Sequence, residues 1–386
     1  MGAPRPLLTL CLIARDEEDT LARCLASVRG VADEIVLVDT GSTDRTMETA
    51  RSFGARVFVL PWTGSFSEAR NHSIEQARGE WILVLDADEE VHPDDRARLR
   101  ALIERSVASP ETSPEGYFLV TISYIGDEPG DQYEADLRLS LFRNRAAYRY
   151  RGAIHEDVVD SIREASRGTE EGAPPTAPGA TDIRILHYGY LTPRWMSKDK
   201  SRRNMAALRA ELALTPDDPF LRYSLGAELM ALQDYAGALR ELEIARTAWT
   251  PGAPPYPDLV KKIALCWMAR ADYHRSREVL RNGVGTYPDF TDLWYLLGWT
   301  ELQLGEHRLS ADRYRRCLAL GPPPPRYSSS SGVGGALAYH GLAQVSLARA
   351  VGVLMAGLKA RPDSAALAAT LRLTRSMFLA GGHEKT

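Results

Sequence analysis

The sequence predicts an α/β domain built on a mostly parallel sheet, followed by an all-α domain of stacked helical repeats. Three observations carry that reading. Short apolar runs alternate with helical patterns from residue 7 to residue 85, as in chains that lay helices on both faces of a parallel sheet. Beyond residue 217 small and aromatic residues recur at a near-constant step, the mark of a repeat array. Between them, WILVLDADEE at 81–90 packs five large apolar residues together and then places four carboxylates in five positions, so the strand it predicts ends at a site.

Taken in order, residues 7–14 (LLTLCLIA) predict a strand, 20–28 a helix, 34–38 (EIVLV) a strand, 43–53 a helix and 56–60 (RVFVL) a strand. A helix over 66–77 and the strand 81–85 complete the alternation. The strand ends Ala14-Arg15-Asp16-Glu17, Asp39-Thr40-Gly41-Ser42 and Asp86-Ala87-Asp88 are all polar. In open α/β sheets ligands bind beyond the carboxyl ends of the strands, so these three ends are expected to face one crevice. Short strands at 117–124 and 137–142 suggest antiparallel pairing. The Pro-, Gly-, Glu- and Thr-rich segment 163–182 predicts a mobile loop, after which order resumes at 183–190.

The rest reads as helices. Leu225-Gly226 with Asp234-Tyr235, Ala238 and Leu242 gives one register; Ile263-Ala264 with Asp272-Tyr273, Ser276 and Leu280 a second; Leu297-Gly298 with Ser310, Tyr314 and Cys317 a third. Ala264 and Gly298 lie 34 residues apart, the tetratricopeptide period, whereas Gly226 and Ala264 are 38 apart because of a Pro-rich turn at 251–257. A shortened fourth unit is expected over 336–362. The domains expected are therefore 1–197, a linker helix at 198–216, and helical repeats at 217–386.

Composition excludes several classes. A net charge of -4 over 386 residues gives no nucleic-acid surface, although 198–203 is locally basic. No apolar run reads as a membrane span, and no signal peptide precedes Arg15-Asp16-Glu17-Glu18, so a cytoplasmic protein is expected. Cys11, Cys24, Cys266 and Cys317 sit in apolar patterns with no metal-ligand spacing and read as buried thiols. The G-x-G-x-x-G of dehydrogenases is missing after the first strand, the P-loop is missing throughout, and the first loop lacks the glycines and basic groups of a nucleotidyltransferase.

Residues two apart at a strand end project to one side, so Asp86 and Asp88 could both face a hard cation such as Mg²⁺ or Mn²⁺. The competing reading is a solvated acidic turn before a helix that starts at Pro93. The order of motifs decides between them. CLIARDEEDTLARCL, EIVLVDTGSTDRT, FSEARNHSIEQARGEWILVLDADEE and LFRN…YRGAIHEDV occur in the sequence that resembles the family-2 glycosyltransferases of GT-A fold, nucleotide-diphospho-sugar transferases. The resemblance covers about the first half of the chain. It extends to a bacterial subgroup with C-terminal tetratricopeptide repeats that includes the peptide S-glycosyltransferases of the sublancin type.

The resemblance implies that Ala14, Arg15, Glu17 and Ser42 line a nucleotide pocket, that Asp39 accepts from uracil N3–H, and that Arg70 approaches the diphosphate or sugar. It implies that Asp86, Ala87 and Asp88 form the metal motif holding Mn²⁺ or Mg²⁺, Asp88 most directly, with His187 completing the shell. Position 16, often Asn in the subgroup, is Asp here. Inversion at the anomeric carbon needs a general base, and Gly152-Ala153-Ile154-His155-Glu156-Asp157 offers Glu156 first and Asp157 second. The partners implied are a nucleotide-sugar donor, with UDP as the expected nucleotide, and a peptide, protein or glycan acceptor; a homodimer through the repeats stays open. The other class of function is a catalytically weak sugar-nucleotide scaffold acting through its repeats. Retention of Asp39, Asp86, Asp88 and Glu156 together argues against it. Donor sugar, acceptor atom and the ligand of the repeats have no readable code.

Overall fold

The computed structural model describes residues 5–130, 132–154, 156–167, 178–192 and 200–382, without the side chains of 166, 167, 200–203 and 378–382. His155, residues 168–177 of the expected loop and the basic run 198–203 thus lie wholly or partly outside the description. The chain divides into two compact units, Met1–Ser224 and Leu225–Thr386.

In the first unit, strands β1 (Leu8–Ala14), β2 (Glu34–Asp39), β3 (Arg56–Val59) and β4 (Trp81–Val84) alternate with helices α1 (Leu21–Ser27), α2 (Thr46–Ser52) and α3 (Phe66–Gln76). A short β5 (Glu89–Val91) and a 3₁₀ turn at Pro93–Asp95 lead into α4 (Arg96–Ala108), followed by β6 (Gly116–Tyr124), β7 (Tyr133–Arg143), α5 (Val159–Arg167) and β8 (Gly179–His187). The strand order is β3-β2-β1-β4-β7-β6-β8-β5. The first four strands are parallel; β7 pairs antiparallel with both β4 and β6, as expected of the later strands.

The apolar character of β1 and β4 on both faces is what places them centrally: every described residue of β4 is buried, and clusters around Leu10, Leu12 and Leu83 on one face and Cys11, Ile82 and Phe142 on the other cover the sheet. The ends of β2, β1 and β4 therefore stand side by side. Burial keeps the thiols inert, pushing Cys11 up to about 12, and all four cysteines are unbridged.

Three expectations change. Residues 163–167 belong to α5 and 179–182 to β8, because Asp160-Ser161-Ile162 continues a helix started at Val159, and Gly179 and Ala180 pair with β6. Helix α2 starts at Thr46 rather than residue 43, since the Thr43 amide is spent on Asp16 Oδ1 (2.8 Å) while Asp44 Oδ1 accepts from the Thr46 amide (2.9 Å). The acidic stretch before Pro93 is not a solvated turn throughout: Glu89 and Glu90 form β5, with Glu89 paired to His187.

Helix α6 (Lys200–Leu214) and α7 (Pro219–Ala231) lead into the second unit, where α8 (Tyr235–Ala248), α9 (Tyr256–Ala269), α10 (Tyr273–Thr286), α11 (Thr291–Gln303) and α12 (His307–Leu320) follow as helix pairs. Each repeat turns at a left-handed residue, Gln233 (φ 62°), Ala271 (φ 58°) and Gly305 (φ 75°). Asp234 and Asp272 then cap the next helix through the amides of Gly237 (2.8 Å) and Arg275 (3.1 Å). Small residues sit where helices meet: a Cβ on Gly226 would strike Leu242 at 2.6 Å. The expected shortened unit at 336–362 is instead one 25-residue helix, α13 (Ala336–Ala360), followed by α14 (Ala365–Gly382). Pro362 ends the first of these rather than the array. By length and composition α13 is apolar enough to cross a membrane, with mean hydropathy 1.5 over its best window, because only Arg349 interrupts the run before Lys359. The expectation that no run reaches that length is corrected.

Candidate active site

The ends of β1 and β2 are stitched together by side chains. The amides of Asp16, Glu17 and Glu18 donate to Ser42 Oγ (2.9 Å), Thr46 Oγ1 (2.8 Å) and Asp44 Oδ2 (3.1 Å), and the Arg45 amide returns to Glu18 Oε2 (3.0 Å). Asp16 takes φ 52°, a conformation that Asn and Asp tolerate, and its Oδ1 accepts from the Thr43 amide (2.8 Å). Of the expected pocket residues, Ala14 is buried and accepts from the Thr40 amide (2.9 Å), Arg15 is exposed, Glu17 Oε2 accepts from Thr20 Oγ1 (2.9 Å), and the Ser42 hydroxyl serves the loop itself.

Asp39 is nearly inaccessible at 1% exposure. Its Oδ1 accepts from the Gly41 (3.0 Å) and Ser42 (2.9 Å) amides, a turn that Gly41 permits at φ 112°, while its Oδ2 is buried without a partner among the described residues. A buried unsatisfied carboxylate oxygen is costly unless a donor completes it.

Arg70, presented by α3, is the hub. Its Nη2 donates to Asp86 Oδ1 at 2.7 Å and its Nε to Glu156 Oε1 at 2.5 Å, the side chain is 10% exposed, and Nη1 is buried with no partner among the described residues. Arg138 on β7 approaches Asp86 Oδ2 (3.4 Å) and pairs with Glu89, which in turn accepts from the Asp86 amide (2.8 Å). Burial raises the Asp86 carboxyl, but the Arg70 and Arg138 guanidiniums outweigh it and hold the group well below the usual carboxylate range. The chain's own arginines thus neutralise Asp86.

Asp88 has a different environment. It lies 3.6 Å from His187 Nε2, its carbonyl accepts from the Tyr188 amide (3.1 Å), and the other ring nitrogen of His187 is 3.1 Å from Ser123 Oγ on β6. Asp86 and Asp88 do not continue the strand: β4 ends at Val84 and both fall before β5 in a turn, where strand alternation does not set their directions. Ala87 between them is buried in the core. Among the described residues no group of three or more His, Cys, Asp or Glu side chains gathers at one point. The Asp88–His187 pair is the nearest to a donor set for a cation, and it is packed closely on Gly189: a Cβ there would lie 2.5 Å from His187 Nε2 and 2.7 Å from Asp88 Oδ2, so only glycine fits beside both atoms.

The structure separates the two base candidates. Glu156 is in the Arg70 network, whereas Asp157 is exposed and caps α5 by accepting from the Val159 amide. Their loop is held by the Phe66 amide, which donates to Ala153 O (2.8 Å), and by Glu211 of α6, which accepts from the Ala153 amide (3.2 Å). Sequence reasoning missed Arg138, Glu89, Ser123 and Gly189. Arg138 alternates with apolar residues in a strand, and the role of Gly189 is the absence of an atom.

The site thus gathers a buried carboxylate at the end of β2, a buried arginine on α3 and an Asp–His pair after β4 and at the end of β8. The sequence model "Glycosyl transferase family 2" matches residues 9–145. A TPR repeat-containing protein of Synechococcus elongatus is 32% identical over 327 residues, 83% of this chain and 77% of that protein. The SPbeta prophage-derived glycosyltransferase SunS of Bacillus subtilis is 26% identical over 59% of this chain and 50% of its own. Among solved structures, S. aureus TarS 1-349 in complex with UDP-GlcNAc gives a TM-score of 0.36 at 16% identity, covering 69% of this chain and 87% of that one. The chain belongs to the family-2 glycosyltransferases that carry tetratricopeptide repeats.

Proposed function

We propose that this glycosyltransferase is inverting and metal-dependent, moving a sugar from a UDP-sugar to a peptide, protein or glycan acceptor, with the repeats serving acceptor recognition or self-association. The observation that carries the reading is Arg70, which joins Asp86 of the donor motif to Glu156 while keeping one buried N–H unspent. On this reading Asp39 Oδ2 accepts a base N–H such as uracil N3–H and Arg70 Nη1 donates to a diphosphate or sugar oxygen; their lack of a partner among the described residues supports it.

Asp88 and His187 would hold Mn²⁺ or Mg²⁺, whose charge stabilises a departing diphosphate. The acceptor atom attacks the anomeric carbon opposite the diphosphate, the carbon–oxygen bond to phosphate breaks with its electron pair on the leaving group, and Glu156 takes the acceptor proton. Arg70 fixes the Glu156 carboxylate meanwhile, and a bound diphosphate competes for that guanidinium, which makes the carboxylate a stronger base.

The test pairs two variants over a panel of UDP-, GDP- and dTDP-sugars with Mn²⁺, Mg²⁺ or EDTA. Glu156→Gln should retain donor binding by calorimetry and lose sugar turnover by roughly 100-fold or more. Asp157→Asn should keep turnover and lower thermal stability. Reversed outcomes would make Asp157 the base; binding of no donor under any metal would favour the scaffold reading.

A further inference from the structure

We propose that the C-terminal helix pair α13–α14 docks on an anionic lipid surface, lying on it rather than crossing it. This goes beyond the transfer reaction and rests on no part of it. Only 11% of the most apolar window of α13 is buried, and Val353 (71%), Met355 (48%), Leu373 (61%) and Met377 (56%) are exposed. Several large exposed apolar groups on two successive helices mark an interaction site.

Charge selects the occupant. Between residues 336 and 377 the basic groups are Arg349, Lys359, Arg361, Arg372 and Arg375, and the only acid is Asp363, in a chain whose net charge is -4. Arg375 Nη2 lies 3.3 Å from Met355 Sδ, so a cation sits directly beside an exposed thioether. Apolar side chains bordered by basic heads match the boundary between acyl chains and acidic headgroups. A second copy bringing the same excess of positive charge to the same face would repel it.

Packing excludes a span. Ala338, Gly341 and Val345 of α13 are buried, and a Cβ on Gly341 would strike the Tyr314 ring at 2.4 Å, which fixes the first part of the helix to α12. The stretch from residue 346 to Ala360 is about 22 Å long at 1.5 Å per residue, short of a hydrocarbon core of roughly 30 Å.

The experiment is flotation of the full chain with vesicles of phosphatidylcholine alone or with phosphatidylglycerol, at low and high salt, beside mass measurement in solution. The wild-type chain should float with anionic vesicles only, and binding should fall steeply at 0.5 M salt, each basic group contributing on the order of fivefold. Val353→Glu with Leu373→Glu, and separately Arg349→Glu with Arg375→Glu, should each abolish flotation; all four sites are exposed, and helicity by circular dichroism should be unchanged. Absence of flotation in the wild type, or flotation that survives both pairs, overturns the proposal. A dimer that Val353→Glu with Leu373→Glu splits, without vesicle binding, assigns the face to a second copy instead.

Discussion

Asp39 and Gly189 act at the scale of single atoms. In Asp39→Asn the amide oxygen can still accept from Gly41 and Ser42, which leaves an NH₂ group where Oδ2 stood, donor against donor toward uracil N3–H. UDP affinity should fall by about 1–3 kcal/mol, or roughly 5- to 150-fold, in a titration calorimeter. Gly189→Ala places a methyl group between His187 Nε2 and Asp88 Oδ2. Binding of Mn²⁺ in the presence of UDP, followed by electron paramagnetic resonance, should weaken by at least about tenfold with the fold intact. Ser123→Ala should have a smaller effect of the same sign, because it frees the far nitrogen of the same ring. Unchanged Mn²⁺ binding in Gly189→Ala would remove Asp88 and His187 as the cation's holders.

At the scale of elements, Asp95 shows how a carboxylate can build rather than react. It closes the 3₁₀ turn before α4 and is buried, with Oδ2 accepting from the Arg184 amide (3.0 Å) and Nε (2.7 Å) and Oδ1 from Arg98 (2.7 Å). Burial raises its carboxyl, but these hydrogen bonds win and hold it at about 2. A depressed value means the unfolded chain binds the proton first, so the stabilisation is full above about pH 4 and disappears as the pH falls toward 2. Asp95→Asn should therefore cost about 2 kcal/mol in urea unfolding at pH 7, with the gap to wild type closing across that acid window. The elements themselves were legible where period and burial agree: every strand from β1 to β4 falls within a residue or two of its expected place, since both faces are apolar and the runs are short. The position of Asp39 at the end of β2 was legible in the same way. The pairing of Asp86 with two arginines was not, because Arg138 arrives from an antiparallel strand 52 residues away and no local pattern encodes that meeting.

For the molecule as a whole, the repeat period was readable because each turn reuses the same device, a left-handed residue followed by an aspartate cap in two of the three repeats. What the period concealed was the end of the array. The spacing predicts a shortened fourth unit over 336–362, whereas α13 runs on for 25 residues because no turn interrupts it before Arg361. The attachment proposed for α13–α14 would give the enzyme access to acceptors at a surface, and the flotation experiment tests the attachment directly.

The bonds between the loops after β1 and β2 bear on how a donor is captured. They join amides of residues 16–18 to side chains of 42–46 using the chain's own groups alone. Walls already held in place leave little conformational entropy to lose when a nucleotide arrives, so association there should follow a single exponential whose rate rises linearly with nucleotide concentration. Cutting one strut, as in Thr46→Val, would convert that encounter into a slower, saturating one, with the pocket now waiting on its own backbone.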